Sequence, residues 1–348
     1  MKKVLVVATS PKSRGGIASV VKAHKQTEQW AICNCKWIVT HIDNGRLWAL
    51  IYLVKGMLSF LFHLPTAKIA HIHLSEPSSA MRKLLFFACA RLFRKKTIVH
   101  FHSFSIDSTV NGDKQWLYRY IFSRANRVIV LSKIWKDKVC EAFNIDNVVV
   151  LYNPCATVVS EKIYTKKKTI LYAGALCTRK GYADLLKAFA KIANEHRDWK
   201  LVFAGNGEIE DGKRISKELG IEEQSVFLGW ISGAEKDQAF KEASIFCLPS
   251  YAEGFPMAVL DAWAYGLPVV TTPVGGVPDI VVDGENGLLF NPGDVDTLAS
   301  KLSMLIESEE LRAKISEESL RLANTTFNVK TIANELAKIY GDIYGTKK

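Results

Sequence analysis

A chain of 348 residues is more than one hydrophobic core usually covers, so two domains are expected. Hydrophobic residues make up 48% and charged residues 23%, the balance of an ordinary folded enzyme, which excludes a disordered, collagenous or disulfide-stapled chain. The net charge of +11 is uneven: residues 1–168 hold 27 Lys and Arg against 9 Asp and Glu, and the remainder carries −7, so the first half suits an anionic membrane, a nucleic acid or a phosphorylated substrate.

From the N-terminus, short β-branched runs alternate with longer helical stretches. Strands are predicted at Val4–Ala8, Trp37–Ile42, Lys68–His73, Thr97–Phe101, Arg127–Leu131 and Val148–Leu151. Helices are predicted at Ile17–Gln29, Arg46–Phe62, Ser78–Phe93 and Lys133–Phe143. The strands are near-continuous apolar runs, as expected where both faces of a parallel sheet are covered. Val4–Ala8 stops at Thr9-Ser10-Pro11-Lys12, too short for the core of a secretory signal.

Leu47–Leu64 reads LWALIYLVKGMLSFLFHL, very apolar but broken by Lys55, Gly56 and His63. A second apolar stretch, Leu84–Phe93, runs into Arg94-Lys95-Lys96. Two readings stay open for these helices. Either they are buried against the sheet, or their apolar side chains and flanking cations meet an anionic membrane surface. A polytopic membrane protein is excluded, because no stretch of 18 residues is without charge. No aromatic-basic interleaving speaks for nucleic acid.

After Asn153-Pro154, the polar segment Ala156–Lys168 has no period and reads as a linker. The alternation then restarts. Strands are predicted at Thr169–Ala173, Lys200–Ala204, Val226–Leu228, Ile245–Leu248, Pro268–Thr271 and Gly287–Phe290. Helices are predicted at Tyr182–Glu195, Lys236–Ala243, Pro256–Tyr265, Val295–Glu307 and Glu310–Ala323. The pattern is α/β: two Rossmann-like domains, residues 1–162 and 163–328, facing a cleft. The last helix, about Lys330–Tyr344 in the segment 329–348, is expected to cross back onto the first domain. The seven cysteines are odd in number and without a C-x-x-C pair, as in a cytoplasmic protein with reduced thiols.

The densest segment is Ser250–Thr272, SYAEGFPMAVLDAWAYGLPVVTT. A strand ends near Pro249 and a loop then carries Glu253 and Gly254. Pro256 fits the first turn of a helix, and Gly266 fits its end. Backbone N–H groups around Phe255–Ala258 would point out of that helix start, a natural phosphate site. Glu253 and Asp261, eight residues apart, would hold two hydroxyl-bearing parts of one ligand with phosphates between them. By chemistry alone, a solvated loop acid and a helix-face acid remain open.

This segment, followed by P-V-G-G-V-P-D, resembles the donor-site motif of family 4 glycosyltransferases, retaining enzymes of the GT-B fold whose motif is two acids separated by seven residues. The similarity extends to Gly15-Gly16 after the first strand, His102 after the fourth, Asn153 at the linker, and Arg179-Lys180-Gly181 with Leu185–Phe189. The resemblance implies that Glu253 orients the donor sugar and stabilises the transition state, and that His102 contacts the donor sugar or the acceptor. It implies a donor site of Gly16, Arg179, Lys180, Gly254, Phe255, Pro256, Met257 and Asp261. Asn206 follows a strand beside that site, and Ile231, with Trp230, would border the base. Glu76 and Ser103 lie at the rim where an acceptor would sit.

Lys180 suits a diphosphate leaving group, because a fixed cation stabilises the charge that builds on the β-phosphate. Gly16 has no Cβ, so its N–H can approach the same phosphate. No Asp-x-Asp pair is placed like a metal clamp, and the resemblance implies a metal-independent enzyme without a cofactor. His71 and His73 read as core or rim residues rather than as metal ligands, and His100 as a structural histidine.

The sequence departs from the family twice. The second acid is Asp261 rather than Glu, one methylene shorter. Gly174 is followed by Ala175 where the family often has Arg, and Arg179 is expected to supply that charge. The expected activity is transfer from a UDP- or GDP-sugar to a free or lipid-linked saccharide, in assembly of bacterial lipopolysaccharide or capsule. The expected place is peripheral, at the inner face of the cytoplasmic membrane. Two rivals are a nucleotide-sugar epimerase of the same fold and a non-catalytic sugar-nucleotide-binding partner. A nicotinamide oxidoreductase is remote, since Ser13-Arg14-Gly15-Gly16 lacks the glycine fingerprint.

Overall fold

A computed structural model describes residues 3–13, 15–156, 158 and 166–345. Most of the predicted linker, Ala156–Lys168, lies outside these residues. The chain divides into two compact units, Met1–Pro154 with Val329–Lys348, and Cys155–Asn328.

The first unit contains strands β1 (Lys3–Ala8), β2 (Cys35–Val39), β3 (Ala67–Leu74), β4 (Lys96–Phe101), β5 (Arg127–Val130) and β6 (Val148–Val150). Its helices are α1 (Gly16–Lys25), α2 (Glu28–Ile32), α3 (Arg46–His63), α4 (Pro77–Leu92), α5 (Ile106–Thr109), α6 (Gln115–Arg124) and α7 (Lys133–Phe143). The sheet is parallel throughout, in the order β2-β1-β3-β4-β5-β6.

Alternate residues along each strand face opposite sides. Leu5, Val7, Ile72 and Val99 point to a core with Phe60, Phe86 and Phe122. Val4, Val6, Ile69 and Ile98 point to the other face.

The second unit repeats the plan. Its strands are β7 (Thr169–Ala173), β8 (Lys200–Ala204), β9 (Ser225–Gly229), β10 (Ile245–Leu248), β11 (Val269–Thr271) and β12 (Leu288–Leu289). They form a parallel sheet in the order β12-β11-β10-β7-β8-β9. Its helices are α8 (Tyr182–Ile192), α9 (Ile209–Glu218), α10 (Ala234–Glu242), α11 (Met257–Ala264), α12 (Val295–Glu307) and α13 (Glu309–Asn324). The last helix, α14 (Val329–Gly345), belongs to the first unit, where Ile332, Leu336, Tyr340 and Ile343 cover the second face of its sheet.

Several elements differ from those predicted. The helix expected over Ile17–Gln29 is two helices, because Thr27 adopts an extended conformation between α1 and α2. The segment α9 was not predicted. It buries only Gly212 and Ser216, so its packed face holds small residues in place of large apolar ones, and a Cβ on Gly212 would stand 2.7 Å from the Phe227 ring. The segment α6 was also missed, although Leu117, Tyr118, Ile121 and Phe122 form its buried face.

Helix α3 carries the least buried apolar surface of note. Among the described residues it is the one helix long and apolar enough to cross a membrane, with a mean hydropathy of 1.2 and 11% of it buried. It touches the core through Gly56 and Phe60. A Cβ on Gly56 would lie 2.3 Å from the Val39 carbonyl oxygen, so glycine lets the helix approach the end of β2. Leu47, Leu50, Val54, Leu58 and Phe62 are exposed, Phe62 at 80%. Both strands that α3 joins pair with β1 in one sheet, so the helix is a crossover lying along that sheet rather than a span.

Candidate active site

The second unit gathers its site at the carboxyl ends of four adjacent strands, β10, β7, β8 and β9. Ligands collect at these ends in open α/β sheets. After β10 the chain turns through Pro249–Pro256. Glu253 is in this loop, only 7% exposed. Its Oε1 accepts from Lys180 Nζ and from Ser250 Oγ at 2.7 Å. A carboxylate taken out of water costs several kcal/mol unless it is paired, and these two donors hold it.

Lys180 arrives on a short 3-10 turn, Thr178–Lys180, that ends at Gly181 with φ +67°. A Cβ on Gly181 would stand 2.0 Å from the Pro249 carbonyl oxygen. Glycine therefore lets the cationic turn reach the end of β10. Arg179 binds the same loop: its Nη1 donates to Ala252 O at 2.7 Å, and its carbonyl accepts from Tyr251 N at 2.8 Å. Tyr251 Oη donates to Asp184 of α8 at 2.7 Å. From the other side, Gly275 at φ +58° presses on the acid loop, where a Cβ would lie 1.9 Å from Glu253 O. Gly276 N donates to Gly254 O at 2.9 Å.

Pro256 precedes α11 rather than opening it; the helix starts at Met257. No side chain caps this start. The first-turn N–H groups therefore point out of the helix beside Gly254 and Phe255, an arrangement suited to an anion. Asp261 lies in the second turn, and its Oδ2 accepts from Lys236 Nζ of α10 at 2.5 Å. The shorter acid is thus tied to a neighbouring helix.

Asn206 follows β8 and is exposed, and its carbonyl accepts from Leu176 N at 2.8 Å. Cβ atoms on Gly205 and Gly207 would lie 1.7 Å from Gly174 O and 2.1 Å from Leu176 O, so the loops after β7 and β8 are in contact. Ala175 turns its carbonyl to Tyr172 Oη at 2.7 Å. Ile231, half-buried, follows β9 beside the exposed Trp230. The sequence assigns no site role to Ser250, Tyr251, Asp184 or Lys236. Ser250 had a signal, its place directly after a strand, but the others are identified by their partners alone.

In the first unit, Gly16 opens α1 after Gly15, which sits at φ +132°, and both are exposed. Glu76 and Ser103 meet each other. Ser103 Oγ donates to Glu76 Oε1 at 2.6 Å, Phe104 N donates to the same oxygen at 3.3 Å, and Ser108 Oγ donates to Oε2. This carboxylate ties the loop after β4 to the start of α4. His102 leaves β4 half-buried, with its ring Nε2 2.9 Å from His73 Nδ1. Burial pushes His71 down to about 3 and holds His73 and His100 well below the ordinary histidine value. Burial also lowers His102, with the nearby Lys83 adding to it. Lys83 itself is buried on α4, donates to Ser79 Oγ at 2.9 Å, and is pushed down to about 7 by burial and by Arg82.

His71, His73 and His100 bring one ring nitrogen each within 4.8 Å of one another. Yet the His71 and His100 rings are stacked, 8° from parallel with centroids 5.4 Å apart. These rings form a contiguous aromatic cluster.

Both halves of the chain match known families: residues 23–157 match Glycosyltransferase Family 4, and residues 157–321 match Glycosyl transferases group 1. An uncharacterized glycosyltransferase of Haemophilus influenzae is 30% identical over 256 residues, covering 72% of this chain and 72% of the relative. The lipopolysaccharide 1,6-galactosyltransferase of Salmonella typhimurium is 29% identical over 226 residues, 62% of each chain. The crystal structure of Anabaena HepE in complex with UDP-glucose is similar in fold, with a TM-score of 0.77 at 18% identity, covering 98% of this chain and 100% of that one. Two parallel six-stranded α/β units of this kind are the architecture of the GT-B fold. The chain belongs to the family 4 and group 1 glycosyltransferases.

Proposed function

We propose that this glycosyltransferase is a retaining enzyme that moves a sugar from a UDP- or GDP-sugar to a lipid-linked saccharide. It would act at the cytoplasmic face of a bacterial membrane, in assembly of a surface polysaccharide such as lipopolysaccharide or capsule. The observation that carries the donor reading is the buried Lys180–Glu253 pair beside an uncapped helix start. Two similar proteins agree in kind: HepE was crystallised with UDP-glucose, and the Salmonella relative is a lipopolysaccharide 1,6-galactosyltransferase.

In this mechanism the diphosphate meets Lys180, Arg179 and the N–H groups at the start of α11. Lys180 then faces two anions, and Glu253, still held by Ser250, turns toward the sugar. The bond from the anomeric carbon to the phosphate oxygen breaks and a bond to the acceptor oxygen forms on the same face. The acceptor proton passes to the departing phosphate oxygen. Fixed cations and helix-start dipoles stabilise the charge on that phosphate, so no metal is required. Asp261 would reach the ribose, and Asn206 and Ile231 would border the nucleotide. In the first unit, His102 would contact a sugar hydroxyl, and the loop held by Glu76 and Ser103 would border the acceptor.

The lipid-linked acceptor rests on the exposed faces of α3 and α4. Leu58, Phe62, Leu85 and Leu92 are all more than half exposed, and Lys55, Arg91 and Arg94 are exposed on the same two helices and the turn after them. Apolar groups beside cations suit a bilayer with anionic lipid.

Thermal unfolding in the presence of UDP, GDP, ADP and NAD tests the donor reading. A ligand at about 100 times its dissociation constant adds about 2.7 kcal/mol, a readable shift. A shift with UDP or GDP is expected, and no shift with either contradicts the proposal.

A further inference from the structure

The histidines of β3 and the end of β4 form one contiguous stack. His73 and His100 are register partners on neighbouring strands. The centroids of His71 and His73 are 4.4 Å apart, those of His73 and His100 4.8 Å, and those of His100 and His102 4.2 Å. The inner end is closed by α14, where Tyr340 Oη lies 2.7 Å from His71 Nδ1. The outer end is His102. His100 stacks on it but both its ring nitrogens lack a partner, so His100 acts by packing. His73 makes the hydrogen bond, Nδ1 to His102 Nε2 at 2.9 Å.

Burial keeps these rings neutral, and a neutral imidazole has one N–H and one lone pair. Two arrangements therefore satisfy the contact. Either His102 Nε2–H donates to His73 Nδ1, with both rings protonated at Nε2, or His73 Nδ1–H donates to His102 Nε2, with both protonated at Nδ1. The Nε2–H form is the more stable tautomer of a free histidine side chain, so the first arrangement leaves both rings in their preferred form. It also leaves a lone pair on Nδ1 of the half-buried His102 ring.

We propose that His73 is a positioning residue: it accepts from His102 Nε2–H, fixes that ring's tautomer and plane, and makes His102 Nδ1 a hydrogen-bond acceptor for a sugar hydroxyl. The inference rests on the reading of His102 as a sugar contact. The ligand must then present a donating hydroxyl there. A fluoro or deoxy analogue at that carbon would be rejected, because a site built for a hydroxyl is left unpaired without it.

The test is long-range 1H–15N NMR of the full chain labelled in its histidine rings, with His102 assigned by its loss in His102→Gln. The wild type should show a pyridine-like Nδ1 and a pyrrole-like Nε2 for His102. In His73→Phe, which keeps a ring but removes the acceptor, the two His102 signals should move toward an exchange average. His73→Asn, whose Oδ1 replaces the lost Nδ1, should restore the wild-type pattern. A pyrrole-like Nδ1 in the wild type, a measurement that needs no variant to fold, would overturn the proposal. So would an unchanged tautomer in His73→Phe. In a transfer assay, kcat/KM should fall about tenfold in His73→Phe and recover in His73→Asn, the scale of one hydrogen bond. If His102→Gln transfers sugar at the wild-type rate while the NMR pattern stands, the sugar-contact reading of His102 is what has failed.

Discussion

The two units share a plan, six parallel strands between helices, and use charge in opposite ways. Residues 1–154 and 329–348 carry 27 Lys and Arg and only 10 Asp and Glu, so most of these cations have no carboxylate in their own unit to pair with. The second unit matches its charges internally, as in Lys167–Glu242, Lys191–Asp296, Lys236–Asp261 and Lys241–Asp237. Its most buried pair, Lys180–Glu253, sits at the strand ends rather than on the surface. The apolar surface divides the same way. In the first unit α3 leaves most of its apolar side chains outside, whereas β10 of the second unit is wholly buried. The contrast separates a surface suited to an external anionic partner from a site suited to a small anionic ligand.

The largest expected effect breaks the second half of this comparison. Glu253→Ala should lower turnover about 10³-fold while the chain still folds, the scale seen when a group that stabilises a transition state is removed. Circular dichroism checks the fold and product formation checks the rate. Wild-type turnover would remove Glu253 from the chemistry.

Next in size is Gly275→Ala. The added Cβ would overlap the Glu253 carbonyl at 1.9 Å, on a backbone of positive φ, and should cost about 2–4 kcal/mol. Gly284→Ala has a similar φ of +79° with open space, and should cost only about 1 kcal/mol. Denaturant melts of the two variants compare packing with backbone strain directly.

A smaller effect sharpens the first half. Leu58→Glu with Phe62→Glu replaces exposed side chains, so stability should change by less than about 0.5 kcal/mol. Co-sedimentation with anionic vesicles should nevertheless fall severalfold, and binding to neutral vesicles should be weak throughout. Equal binding to neutral and anionic vesicles would remove the electrostatic part. The smallest effect is expected for Asp261→Glu, which should hold or modestly raise UDP or GDP affinity in a calorimetric titration. A large loss would mean that the pocket is shaped around the shorter acid and its Lys236 partner.

Much of the fold was legible because buried parallel strands read as apolar runs, as in Val4–Ala8 and Ile245–Leu248. Helix α9 was hard to read for the converse reason: its buried positions are Gly212 and Ser216, small residues rather than large apolar ones. The acid loop was legible because Glu253, Pro256 and Gly275 lie within one stretch of chain. What could not be read was pairing at a distance. Lys180 and Glu253 are 73 residues apart, and so are Arg179 and Ala252. Nor does any local pattern announce that Glu76 accepts from Ser103, or that His73 bonds His102. Those contacts depend on which strands lie side by side.

Calorimetric titration of UDP and GDP into the wild type and into Lys180→Ala tests the donor site most directly. Tight binding of one of them, weakened about 100-fold or more in Lys180→Ala, is the predicted result, as for a charge-assisted contact to phosphate. Equal affinity in the two proteins, or no binding of either nucleotide to the wild type, would contradict a diphosphate site at Lys180 and Glu253.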